Sequence, residues 1–238
     1  MSAQFVHLRL HSEYSLVDGL VRLKPLAAKA AELRMPAIAL TDFNNFFGLV
    51  KFYKAVQGAG VKPILGSDVL IADESGEGSP SQLVLLISNN TGYKNLTTLI
   101  SRGYQEGQRQ GIPTIRLSWL EELNEGLIAL SGGRLGEIGI SLISGRRADA
   151  ETSLQRFMAI FPDRFYLELQ RTGRPDEEDY LHAAVDLAGV FSCPLVATND
   201  VRFIAAEEYE AHEARVCIYE GRTLDDPRRE RRYSESQY

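Results

Sequence analysis

The residues of this 238-residue chain best suited to chemistry are four histidines and a set of aspartates at the ends of apolar runs. His7, Arg9 and His11 lie two apart, so on a strand their side chains share one face. A His-x-His pair at a strand end can place two imidazoles on one metal ion. Arg9, however, shares that face, and its guanidinium has no lone pair and a permanent positive charge. Asp18, Asp42, Asp68 and Asp200 also follow apolar runs. Gathered at one barrel mouth, they would hold ions or act as bases for phosphoryl chemistry. Aspartate also caps helices, and Asp42 and Asp200 precede helical or turn segments, so a structural role stays open for each. His182 and His212 fall in helical stretches and read as packing or surface histidines.

These residues need elements to position them. Phe5 to Leu10, Ala37 to Leu40, Pro63 to Ala72, Leu83 to Ser88, Leu127 to Leu130, Phe165 to Leu169 and Leu195 to Thr198 read as strands. Apolar spacing near 3.6 predicts helices over Leu23 to Arg34, Phe47 to Gln57, Asn95 to Gln105, Ala150 to Ile160, Glu177 to Ala188 and Glu207 to Tyr219. About seven strands, mostly separated by helices, imply a βα-repeated and largely parallel sheet. No glycine-rich phosphate loop follows the first strand, which disfavours a dinucleotide-binding sheet. Polar and acidic strand ends favour a barrel. Asp73 to Ser81 reads as a polar loop, and the chain after Glu220 shows turn residues and charge with no strand pattern.

Composition narrows the class. Hydrophobic residues make up 44% and charged residues 24%, with a net charge of −6. That excludes disordered and collagen-like chains. A chain of this size buries about 70% of its unfolded surface without needing a metal or disulfide. No apolar stretch is long enough for a membrane span, and Met1 to Gln4 does not open a signal peptide, so the expected location is the cytoplasm. Cys193 and Cys217 are too few for a disulfide framework and read as reduced, half-buried thiols. The acidic balance argues against a whole-surface grip on nucleic acid. Only Arg228, Arg229, Arg231 and Arg232 form a basic run, and such a run is usually a solvated face or linker.

Several segments taken together resemble a known family. HLRLHSEYSLVDG at His7 to Gly19 resembles the opening motif of the PHP (polymerase and histidinol phosphatase) domain, in its replicative-polymerase form. ALTDFNNFFGLVKFY at Ala39 to Tyr53, GVKPILGSD at Gly60 to Asp68 and NNTGYKNLTTLIS at Asn89 to Ser101 follow in family order. NEGLIALSGG at Asn124 to Gly133 and ATNDVRF at Ala197 to Phe203 complete the series. The resemblance covers almost the whole chain. It implies an α/β fold, a distorted seven-stranded (β/α) barrel of PHP type, over residues 1–220. Residues 221–238 would then begin a linker toward a polymerase body.

Metal-binding members of that family hold a three-ion cluster at the barrel mouth. Carried over position by position, the resemblance retains His11, Asp18 and Asp200, and Asp68 replaces a glutamate. Arg9, Phe43, Gln82, Gly133 and Arg202 stand where the family has ligands, so five of nine positions are lost. Phe43 and Gly133 offer a metal no donor. Arg9 and Arg202 place guanidinium groups beside carboxylates that would otherwise repel one another, and can neutralise them without an ion.

The resemblance therefore implies a degenerate site with no catalytic residue and no metal or other cofactor. It also implies a domain that supports the polymerase body of the same chain and docks the proofreading exonuclease subunit. The parent would be a DNA-directed DNA polymerase, a nucleotidyltransferase of DNA replication, with DNA as a partner through that parent and no membrane partner. The alternative is a residual phosphoesterase (pyrophosphatase, phosphatase or 3′–5′ exonuclease) with one Mg or Mn ion on His11, Asp18, Asp68 and Asp200.

Overall fold

The computed structural model describes residues 5–72, 78–109 and 111–238. The expectations for Met1 to Gln4 and for most of the 73–81 loop lie outside the described residues. In chain order the elements are α1 (Leu23–Glu32), β1 (Ala37–Leu40), α2 (Leu49–Gly58), β2 (Lys62–Ala72), β3 (Ser81–Ile87) and α3 (Asn90–Glu106). Then come β4 (Gln108–Arg109), β5 (Ile112–Pro113), β6 (Ile115–Arg116), α4 (Leu117–Glu122), β7 (Leu127–Leu130) and α5 (Glu137–Ile143). α6 (Arg147–Ile160), β8 (Phe165–Leu169), α7 (Glu177–Phe191), β9 (Leu195–Ala197) and α8 (Tyr209–Glu220) complete the series. The chain forms two compact units, one of residues 1–65, 171–174 and 198–238, the other of 66–170 and 175–197.

The first unit is built on α1, β1 and α2. Leu23, Leu26, Ala27 and Ala30 recur at helical spacing and are buried, as are Phe52 and Val56 of α2. They pack with Leu10, Val21, Ile38, Leu40 and Val201 in one apolar cluster. β1 is buried throughout and pairs parallel with the start of β2, Ala37 opposite Lys62.

The expected first strand, Phe5 to Leu10, is not a regular strand. Its backbone is nonetheless held on both sides, Ala39 N–H donating to the His7 carbonyl (2.8 Å) and His11 N–H to that of Val201 (2.9 Å). The ladder breaks at Leu10, whose N–H donates to the Thr41 hydroxyl (2.9 Å) instead of a carbonyl. A side chain has taken the place of one rung. Only the single parallel bridge Leu10–Val201 remains.

The second unit departs from an all-parallel sheet. β3 lies antiparallel to β2, with Gly66 opposite Leu86, and antiparallel to β7, with Val84 opposite Leu130. β7 pairs parallel with β8, β8 with β9, and the short β6 with β2. The connection explains the difference. Parallel neighbours need a crossover of about a dozen residues or more, usually a helix. α5 and α6 supply one between β7 and β8, and α7 does so between β8 and β9. Only residues 73–80 join β2 to β3. Leu83, Val84, Leu85 and Leu86 are all buried, as expected for a strand covered on both faces. Cys193 and Cys217 are free, and more deeply buried than expected.

Among the described residues no helix is long and apolar enough to cross a membrane.

Candidate functional site

Six of the nine positions singled out in the sequence fall in the first unit, and Arg9, His11, Asp18, Asp200 and Arg202 come together there. Strand-like backbone at 7–11 beside Val201 brings Arg9 and His11 next to the 199–202 turn. Asp200 sits in that turn with φ +52°, the left-handed region that aspartate tolerates better than most residues. Asp18 comes from the loop after the short helical turn at Glu13–Ser15. Gly19 lets that loop close, because a Cβ there would overlap the Ser12 carbonyl.

Both aspartates are ringed by cationic and hydrogen-bonding groups, Asp200 Oδ1 meeting its arginines as ion pairs without a hydrogen bond among the described residues. Asp200 Oδ1 lies 2.7 Å from Arg202 Nη2 and 3.2 Å from Arg9 Nε. Asp200 Oδ2 accepts from Arg174 Nη1 and from Gln237 Nε2, each at 3.0 Å. Asp18 Oδ1 is 2.8 Å from His11 Nδ1, while Oδ2 accepts from the Tyr233 hydroxyl at 3.0 Å and faces Arg202 Nε at 3.4 Å. All five charged groups are buried, the most exposed being Arg174 at 7%.

The electrostatics follow from this arrangement. Burial alone would raise the Asp18 pKa, but Arg202 and then His11 outweigh it and hold the carboxylate far below its usual range. Asp200 is lowered in the same way, burial being overcome by Arg202, Arg9 and Arg174. The Tyr233 hydroxyl, buried beside Asp18, is pushed well above the usual phenol value. His212 is fully buried and donates from Nε2 to the Asp18 carbonyl (2.8 Å). Its pKa falls to about 4, chiefly through burial. Tyr233 meets its ring edge-on at 4.7 Å between centroids.

Asp42 has the structural role left open for it. It accepts from the Ser12 N–H (2.7 Å) and from the Ser12 and Ser15 hydroxyls (2.8 Å each), so it fixes the 12–15 turn. Burial raises its pKa against those hydrogen bonds. Phe43 donates its N–H to Ser15, and its ring lies 6.2 Å from that of His11. His182 is exposed and, among the described residues, bonds the Glu178 carbonyl of its own helix.

The remaining three positions belong to the second unit. Asp68 is buried opposite Val84, and Gln82 is opposite Leu70, which puts Asp68 and Gln82 diagonally on one face of the β2–β3 pair. Gly133 has φ +61°, and a Cβ there would press on the Gln170 amide. Gln170 itself donates to buried Glu168 (3.0 Å).

Sequence reasoning missed Arg174, Tyr233 and Gln237. Arg174 lies in a Thr-Gly-Arg-Pro loop with no periodic pattern. Residues 221–238, expected as the start of a linker, fall in the first unit, and Gln237 is fully buried there. The basic run is largely matched within the unit. Arg228 pairs with Asp226, Arg229 with Glu213, and Arg232 with Glu220 and Glu230.

The ions that metal-binding members of the resembling family hold do not fit these residues. The cluster holds three arginines against two aspartates, a fixed charge of +1 before any cation enters. Every carboxylate oxygen of Asp18 and Asp200 already faces a nitrogen or hydroxyl. Among the described residues no group of three or more His, Cys, Asp or Glu is arranged to hold an ion.

Histidine and aspartate at strand ends of a βα chain are the pattern of a barrel-type α/β fold, here with the acids paired to arginines. Two solved structures share the fold. One, described as a metal-dependent phosphoesterase from Bifidobacterium adolescentis, matches with a TM-score of 0.54 at 10% identity, covering 83% of this chain and 87% of that one. The other, an amidohydrolase from Chromobacterium violaceum with bound sulfate and no metal, gives 0.55 at 15% identity, covering 88% and 96%. The PHP domain model matches residues 7–172, and the chain belongs to the PHP domain family. Its α/β fold class is therefore the PHP barrel type read from the motifs. The chain is 59% identical over its full length to DNA polymerase III subunit alpha of Pseudomonas aeruginosa and 57% to that of Pseudomonas fluorescens. It is 55% identical over 99% of its length to the Escherichia coli K12 subunit. It spans about a fifth of the length of these relatives.

Proposed function

We propose that the chain is the PHP domain of a replicative DNA polymerase subunit and works as a metal-free scaffold. The names of its full-length matches support the polymerase assignment. The observation that carries the scaffold reading is the pairing of Asp18 and Asp200 with Arg9, Arg174, Arg202, Tyr233 and Gln237. Carboxylates that would hold ions in a phosphoesterase here hold the chain together. Asp200 ties 7–11, 171–174 and 233–238 to one turn, and Asp18 ties α8, through His212, to the 12–20 loop. No cofactor is needed. The domain then supports the polymerase body and offers a surface to the proofreading exonuclease subunit, as the family resemblance implies.

Metal analysis of the purified chain, with anomalous diffraction from manganese-soaked crystals, tests the scaffold reading. Substoichiometric metal and no anomalous peak at Asp18 and Asp200 are expected. A bound ion there, with manganese-dependent phosphoesterase turnover abolished by Asp200→Asn, would establish the residual-enzyme alternative instead. Co-sedimentation with a purified proofreading exonuclease tests docking, and a stoichiometric complex is expected.

A further inference from the structure

Several surface arginines of this acidic chain face carboxylates. Arg102 faces Glu122, Arg147 faces Glu151 and Asp186, and Arg156 faces Glu137. One region of the first unit gathers cations that lack such partners. A cleft of about 780 Å³ between the start of α1 and the exposed side of α2 is lined by Glu13, Tyr14, Arg22, Lys24, Lys51 and Lys54. Arg22, Lys24, Lys51 and Lys54 are all exposed, and none pairs with a carboxylate among the described residues. Lys51 and Lys54 are three apart on α2 and so share a helix face. Glu13 is the one acid in the lining. Four cations around one concavity repel one another, and an anion in the cleft relieves that repulsion.

The aromatic component narrows the anion. Tyr14 lines the same cleft, its hydroxyl 2.6 Å from Lys51 Nζ, with the ammonium 5.1 Å from the ring centroid. Cations interleaved with an aromatic ring suit a strand that offers phosphates to the first and bases to the second. An acidic peptide offers carboxylates but has no use for the ring. We propose that the Arg22, Lys24, Lys51 and Lys54 cleft, with Tyr14, binds the backbone of single-stranded DNA. The proposal rests on the polymerase reading for the choice of DNA as the polyanion. The cleft itself does not depend on it.

The test compares the full-length subunit with its Lys24→Gln/Lys54→Gln variant, titrating fluorescein-labelled oligothymidylate over a range of KCl concentrations. Each lost phosphate contact on a single strand lowers the slope of log K against log salt by about 0.7, so a decrease of about 1.4 is expected. Both side chains are exposed, so an unchanged melting temperature should accompany that decrease. Coincident slopes would overturn the proposal. Coincident slopes with a poly-glutamate peptide bound by the parent and not by the variant would also overturn it, assigning the cleft to an acidic protein segment. Primer extension by the unaltered subunit separates the two readings. A subunit that extends primers but shows coincident slopes loses the cleft proposal alone. One that shows the slope difference without extension loses the polymerase reading instead.

Discussion

Two groups of cations in the first unit show how environment divides one kind of side chain between two tasks. Arg9, Arg174 and Arg202 are buried and faced by Asp18 and Asp200. Arg22, Lys24, Lys51 and Lys54 stand in water with no carboxylate partner among the described residues. A buried charge costs several kcal/mol of desolvation unless it is paired and hydrogen-bonded, so the first group is committed to structure. An exposed charge carries little such cost, and its field reaches about one Debye length into solvent. The first group is unavailable to any ligand and the second unnecessary to the fold.

The largest effect expected from this contrast is on stability. Asp200→Asn leaves three buried arginines with Asp18 as their one remaining acid of the pair, and should cost about 3–5 kcal/mol. Lys54→Gln, an equally simple loss of one charge, should change stability by less than about 0.5 kcal/mol. Urea unfolding of the two variants beside the parent chain measures both. Equal losses would erase the distinction between the two groups.

Titration sharpens it. His212 is buried, with a pKa lowered from 6.5 to about 4, so the unfolded chain takes up its proton at higher pH than the folded one. Stability from this histidine is therefore present above pH 6.5 and is lost as pH falls toward 4, in total about 3 kcal/mol. Asp18 and Asp200 act in a lower window. Their folded pKa values are depressed, so their contribution is present above the unfolded value of 3.8 and lost below it. Melting temperatures from pH 7.5 to 4.5 should fall for the parent chain and stay flatter for His212→Gln, which keeps a donor for the Asp18 carbonyl. Parallel curves would show that the histidine is not the titrating group. In the cleft, the hydrogen bond from Lys51 to the Tyr14 hydroxyl raises the ammonium's pKa, so it adds no such dependence.

How much of this was legible beforehand depended on the range of the interaction. Alternating apolar runs marked every strand of four or more residues, because burial writes itself into local pattern. They did not show that Leu10 gives its N–H to Thr41, since one hydroxyl 31 residues away has no periodic signature. Nor did they show the antiparallel β3, whose direction follows from the length of the 73–80 connection. At the site, the family resemblance, carried over residue by residue, brought out Arg9, His11, Asp18, Asp200 and Arg202 and suggested the pairing of both arginines with carboxylates. Arg174, Tyr233 and Gln237 join them from irregular segments, where neither period nor propensity constrains a side chain's destination. The polar, turn-rich composition of 221–238 reads as linker because it buries few apolar groups. Its contribution comes instead through hydrogen bonds to two aspartates.

The smallest expected effect tests that last point. Tyr233→Phe removes one hydroxyl, the one donated to Asp18 Oδ2, and keeps the ring that meets His212. Asp18 retains Arg202 and His11, so the loss should be about 1.5–3 kcal/mol, the usual net worth of one hydrogen bond to a charged group. Tyr14→Phe is its counterpart in the cleft. It also removes one hydroxyl bonded to a charged group, but Lys51 is exposed and water replaces the partner, so stability should not change measurably. Urea midpoints at pH 7 resolve a difference of this size when both variants keep the parent slope. If Tyr233→Phe proved as silent as Tyr14→Phe, the 233–238 segment would be resting on the first unit without fastening it, and the aspartates would depend on the arginines alone.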